Sequence, residues 1–123
     1  MAKVLIIDDD IQIRKVVRKS LEREGHTVIE AANGEEGIEA YRKEPTDLVI
    51  TDIIMPGKEG IETIKDFTRE FPGIKVIAIS GGSQHLAPEL WLNVAKCLGA
   101  VQTLTKPFTY EELIETVNLL LNE

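Results

Sequence analysis

The stretch Leu48-Val49-Ile50-Thr51-Asp52 runs on into Ile53-Ile54-Met55-Pro56-Gly57. Four apolar or β-branched residues end on a carboxylate, and a Pro-Gly turn follows at once. A short apolar run bounded by turn signals reads as a strand buried on both faces. Such a strand offers a side chain to a defined place only where it emerges, at its carboxyl end. Asp52 stands there.

Working outward, the same pattern recurs. Val4-Leu5-Ile6-Ile7 is another continuous apolar run and ends on Asp8-Asp9-Asp10, with Asp10 placed to cap a helix. Ile13, Val16, Val17 and Leu21 follow at helical spacing, with Arg14, Lys15, Arg18, Lys19 and Glu22 facing water, and Gly25 closes the helix. Thr27 to Ala31 makes a second strand. Asn33-Gly34 opens a second helix with Gly37, Ile38 and Tyr41 inward, and Pro45 stops it. Beyond the Pro56-Gly57 turn, Ile61, Ile64 and Phe67 mark a third helix that halts before Pro72-Gly73.

Val76 to Ile79 is a fourth strand ending on Ser80, and Gly81-Gly82-Ser83 is a loop. Pro88 suits the first turn of a fourth helix whose apolar stripe is Leu90, Trp91, Val94, Cys97 and Leu98, with Trp91 read as core. Val101 to Leu104 is a fifth strand, followed by Lys106-Pro107. Thr109 and Glu112 form a capping-box pattern that launches a fifth helix through Leu113, Ile114, Val117, Leu120 and Leu121. Alternating βα units with near-continuous apolar strands imply an α/β fold, a parallel sheet covered by helices on both faces.

Composition sets bounds. The 123 residues suit one domain, 43% hydrophobic residues supply a core, and no segment reaches the ~20 apolar residues of a membrane span. A net charge of −7 argues against direct nucleic-acid or anionic-membrane binding, both of which draw on excess Lys and Arg. Met1-Ala2-Lys3 leads straight into a strand, so no signal peptide is expected. The lone Cys97 has no partner for an internal disulfide, so a reducing, cytoplasmic setting is expected.

Four of the five strands deliver a polar group to one edge of the sheet: Asp8 and Asp9 from the first, Asp52 from the third, Ser80 from the fourth and Lys106 from the fifth. Taken singly, each has a bland explanation as a cap, a surface charge or a loop residue. At matching ends of one parallel sheet they form a set. Clustered carboxylates repel unless a cation sits among them, and oxygen-only ligands suit Mg²⁺. Lys106 adds a charge that pairs with phosphate and Ser80 a hydroxyl that can donate to it. A carboxylate in such company can serve as the nucleophile of a phosphoryl transfer.

On the acidic pair Asp8-Asp9, the Asp52-Ile53-Ile54-Met55-Pro56-Gly57 stretch, Ser80 and Lys106-Pro107, the chain resembles the receiver domains of bacterial two-component response regulators, the chemotaxis receivers among them. The likeness spans Lys3 to Asn122. It implies a flavodoxin-like, doubly wound sheet of order 2-1-3-4-5 with five helices, and a single receiver domain over residues 1–123. It implies Asp52 as phosphoacceptor, Asp9 as a direct Mg²⁺ ligand, Asp8 acting partly through water, and the main-chain carbonyl of Ile54 as a further ligand. Ser80 is then the switch hydroxyl and Lys106 the phosphate-pairing base, before a cis Lys106-Pro107 bond. The implied phosphate donor is a phosphohistidine on a sensor histidine kinase or phosphotransfer protein. His26 and His85 lie outside the motif. A downstream protein, or an output domain absent from the chain, would read the switch.

Two departures stand out. Thr103 occupies the position where many receivers carry an aromatic residue, and the span from Ser80 to Lys106 is a few residues longer than common. Ile54 and Gly82, two beyond Asp52 and Ser80, bear no side chain able to orient a water, so slow self-dephosphorylation is expected. Two rival readings remain. Asp8 and Asp10 after a strand also fit the nucleophile motif of haloacid-dehalogenase-like phosphatases, with Asp8 as nucleophile, although Asp52 then has no task. A degenerate receiver acting only as a binding module is the other.

Overall fold

The computed structural model describes residues 2–53, 59–80 and 102–122, with the backbone alone for 59–61 and 80. In chain order the elements are β1 (Lys3–Ile7), α1 (Ile11–Arg23), β2 (Thr27–Ala31), α2 (Gly34–Lys43), β3 (Leu48–Asp52), α3 (Glu59–Glu70), β4 (Val76–Ser80), β5 (Gln102–Thr105) and α4 (Tyr110–Leu121). The helix expected over 88–98, with Trp91 and Cys97, lies outside the described residues, so α4 is the helix expected as the fifth.

The strands pair in parallel in the order β2-β1-β3-β4-β5. Side chains alternate across the sheet, and both faces are apolar. Val4, Ile6, Leu48, Ile50, Ile77 and Ile79 pack toward Val17 and Leu21 of α1 and Leu113, Val117 and Leu120 of α4. Leu5, Ile7, Val49, Val76 and Ala78 pack toward Ile64 and Phe67 of α3, with Ile38 and Tyr41 of α2 at the margin. Every residue of β3 is buried, as expected of a central strand. Full burial of such side chains is worth about 1.5–3 kcal/mol each.

Helix ends follow the local chemistry. Asp10 caps α1 by accepting from the Gln12 amide, and Asn33 caps α2 by accepting from the Glu36 amide. Thr109 and Glu112 close a reciprocal capping box on α4. Gly25 follows α1 at φ +90°, a left-handed turn that glycine adopts without a Cβ penalty.

One helix position departs from expectation. Val16 is 56% exposed. It sits about 100° round the helix from Val17, so the inward stripe runs through Ile13, Val17 and Leu21 and leaves Val16 at its edge.

The approach of α2 to β1 depends on Gly37. A Cβ there would lie 2.3 Å from Cδ1 and 2.8 Å from Cγ1 of the fully buried Ile7. Gly37→Ala therefore sets a helix-propensity gain of about 1 kcal/mol against an overpacking cost of about 1–3 kcal/mol. Urea unfolding should show a net loss of stability. Combined with Ile7→Val, the cost should fall below the sum of the two single changes, and strict additivity would contradict the contact.

Candidate functional site

Strand register brings the acidic residues together. Ile6 pairs with Ile50 and Ile7 with Thr51, so one step further along Asp8 comes beside Asp52. Both carboxylates continue the alternation of Val4-Ile6 and Leu48-Ile50, and the order β2-β1-β3 reverses direction here, where open α/β sheets hold their ligands. At the other side of this crevice, β4 and β5 align Ser80 with Thr105, and Lys106 follows directly.

Lys106 reaches back across the sheet edge. Its Nζ donates to Asp52 Oδ2 at 2.7 Å and to Asp8 Oδ2 at 3.1 Å. The Lys106-Pro107 peptide is cis. The Asp8 side chain is wholly buried and that of Asp52 is 6% exposed, while Asp9 faces solvent. The other oxygen of Asp8, Oδ1, accepts from the Asp10 amide at 2.9 Å, and the Asp8 amide donates to the Ala31 carbonyl at 3.2 Å. The Ile53 amide donates to the Ile79 carbonyl at 3.0 Å, which carries the β3–β4 pairing past Asp52.

Burial pushes the Asp8 carboxyl up to about 6. The Asp10 amide opposes that rise, the Asp52 charge adds to it, and Lys106 opposes it. For Lys106, burial works against the charged form. The hydrogen bond and charge of Asp52, then those of Asp8, outweigh it, and the ammonium is held above its ordinary range. An amine so held is fully charged at neutral pH and stands in for a cation between two carboxylates.

One ligand oxygen from each of Asp8, Asp9 and Asp52 lies within 4.8 Å of the others. The donors are all oxygen, two of the residues are buried and one is open to solvent. This set can hold a hard divalent ion that keeps several waters. The carbonyl of Ile54 and the hydroxyl of Ser80 lie outside the described atoms, as do Gly82 and His85.

Arg14, expected to face water, does not. Its Nη1 donates to the Asp8 main-chain carbonyl at 2.6 Å and its Nε to Glu30 Oε1 at 3.0 Å. Arg18 donates to Glu30 Oε2 at 2.8 Å and to Glu22 at 3.1 Å. The second strand, expected to add nothing polar, thus supplies Glu30 behind the acidic turn. A carboxylate set inside an otherwise apolar strand, facing an Arg-x-x-x-Arg pair, was the available signal.

A doubly wound parallel sheet with an acidic crevice at its switch point is the architecture that the receiver resemblance implies. The chain belongs to the response regulator receiver domain family, whose model matches residues 4–118. It is 36% identical over 123 residues to Protein PilH of Pseudomonas aeruginosa, covering 98% of each chain. It is 30% identical to the alkaline phosphatase synthesis transcriptional regulatory protein PhoP of Bacillus subtilis, covering 97% of this chain and 48% of that one. Among solved structures it is similar to the chemotaxis response regulator CheY4 of Vibrio cholerae, with a TM-score of 0.85, 32% identity and 98% of each chain covered. Receiver domains of this family are signalling switches that work with histidine kinases or phosphotransfer proteins. The haloacid-dehalogenase-like reading finds no support in these comparisons.

The raised Asp8 pKa fixes a sign. Between about pH 4 and pH 6 the folded, metal-free protein keeps a proton at Asp8 that the unfolded chain, at the ordinary 3.8, has released. The associated stability is present below about 4 and lost as pH rises through about 6. A divalent ion needs the charged form. The rise in melting temperature on exchanging chelator for excess Mg²⁺ should therefore be small at pH 4.5 and large at pH 7.5. An equal gain at both would contradict the site.

Proposed function

We propose that this chain takes a phosphoryl group onto Asp52 from the phosphohistidine of a sensor histidine kinase or phosphotransfer protein, with Mg²⁺ as its resident cation. Phosphorylation then alters the surface offered to a downstream protein or to a joined output domain. The reading rests above all on one observation: the Lys106 ammonium is shared between Asp8 and Asp52, with Asp9 beside them. A cytoplasmic setting suits the lone cysteine, and among the described residues no helix is long and apolar enough to cross a membrane. The charge of −7 speaks against nucleic acid as a direct partner.

In the reaction, an Asp52 oxygen attacks phosphorus opposite the P–N bond. The O–P bond forms as the P–N bond breaks, and the imidazole leaves with the electron pair and takes up a proton. A Mg²⁺ ion would be held by Asp8, Asp9 and Asp52, with the Ile54 carbonyl as the further ligand that the family resemblance implies, and would supply charge neutralisation to the phosphoryl oxygens. Lys106 is already half-buried and charged beside Asp52, so it transfers its hydrogen bond from the Asp52 carboxylate to a phosphoryl oxygen with little reorganisation. Ser80, at the end of β4, donates its hydroxyl to another. Thr103 leaves no aromatic ring on β5 to report the change, so the signal leaves by another route.

With acetyl phosphate as donor, intact-mass measurement should show one phosphoryl group in Mg²⁺ and none in chelator or in Asp52→Asn. Lys106→Ala should slow the labelling by about 10²-fold. A label that maps to Asp8, or that survives Asp52→Asn, contradicts the assignment. Once donor is removed the label should persist, because Ile54 and Gly82 cannot orient an attacking water. Rapid loss would contradict that expectation.

A further inference from the structure

The acidic turn changes character across a single peptide. Asp8 is fully buried and Asp9 is exposed. The Asp8–Asp9 peptide plane is the backbone link between the two, and its orientation is one of the constraints on where the Asp9 carboxylate can reach. The carbonyl of that peptide is the one that Arg14 Nη1 holds at 2.6 Å. The Arg14 side chain is 13% exposed and is itself braced, through Nε, on Glu30 Oε1 at 3.0 Å. Glu30 belongs to β2, where it pairs with Ile6 in the ladder that anchors it, and its second oxygen also accepts from Arg18 at 2.8 Å. A guanidinium engaged at two nitrogens of its planar fork has little freedom left.

We propose that Arg14 is a positioning residue of the acidic site: braced on Glu30, it fixes the Asp8–Asp9 peptide and so sets how tightly the carboxylates hold a divalent cation. The inference rests on the metal reading given under the proposed function. It makes the rigid sheet, through β2, the reference against which the exposed ligand is aimed. Groups that orient ligands from behind typically change metal affinity 10–100-fold when removed.

Charge and positioning predict opposite signs. Removing a positive charge beside an acidic site should tighten cation binding, whereas freeing the peptide should weaken it. Arg18 supplies the control. It loses the same charge and the same Glu30 partner, but its side chain bonds Glu30 and Glu22 rather than the acidic turn.

The test is calorimetric titration of the metal-free protein with Mg²⁺ at pH 7.5 and fixed ionic strength. Arg14→Met should bind about tenfold more weakly than wild type, and Arg18→Met as tightly or slightly more so. Amide exchange at Asp9 and Asp10 in the metal-free state should accelerate in Arg14→Met alone. Affinity in Arg14→Met equal to or tighter than in Arg18→Met overturns the proposal. Should Arg14→Met not fold, Arg14→Lys keeps the charge without the fork. A loss of at least about threefold supports the inference, and wild-type affinity overturns it. Asp9→Asn is the separate check on the metal site: if it leaves Mg²⁺ binding intact, the metal reading falls, whatever Arg14 does.

Discussion

The structure depends on one ammonium shared between two carboxylates. Parallel pairing of β1 with β3 forces Asp8 and Asp52 side by side at the sheet edge, and burial denies them water. Two desolvated negative charges in contact would otherwise drive one of them to protonate. Lys106, arriving from the far side of the crevice, supplies the counter-charge at 2.7 and 3.1 Å. The same geometry that makes the pair costly is what makes it responsive. A divalent ion or a phosphoryl group, as proposed for this site, would offer the carboxylates and the lysine new partners, and the bridge would then be redrawn.

The scaffold is built to tolerate this tension. Val4 to Ile7, Val49 and Ile50, and Val76 to Ile79 are wholly buried between two helical layers. Their burial holds the register that brings the charges together, and the unfavourable chemistry is confined to the carboxyl ends of the strands. Behind the acidic turn, Arg14, Arg18, Glu22 and Glu30 form a hydrogen-bonded chain across α1 and β2. It ties the exposed acidic turn at Asp9 to the sheet.

Much of this was readable in the chain because the signals are local. Continuous apolar runs ending on Asp8, Asp52 and Ser80 gave strands and their carboxyl ends, and Asp10, Asn33 and Thr109 gave helix starts, each through a bond to an amide two or three residues on. The contacts of Arg14 with Glu30 and the Asp8 carbonyl were not readable in the same way. A charged residue off the apolar stripe of a helix looks solvated, and whether it meets a strand carboxylate depends on how the helix packs. Val16 illustrates the converse: an apolar residue at nearly the right spacing fell outside the stripe because Val17 took the inward position. The helix expected over 88–98 and the Ile54 carbonyl fall outside the described residues.

The most direct test of the central claim is a crystal structure grown with Mn²⁺ in place of Mg²⁺, read by anomalous scattering. The account predicts a single strong peak about 2.1 Å from oxygens of Asp9 and Asp52, with Asp8 beside it and the Lys106 ammonium displaced from its shared position. A site left empty at saturating Mn²⁺, or a peak elsewhere with Lys106 still bridging Asp8 and Asp52, would contradict it.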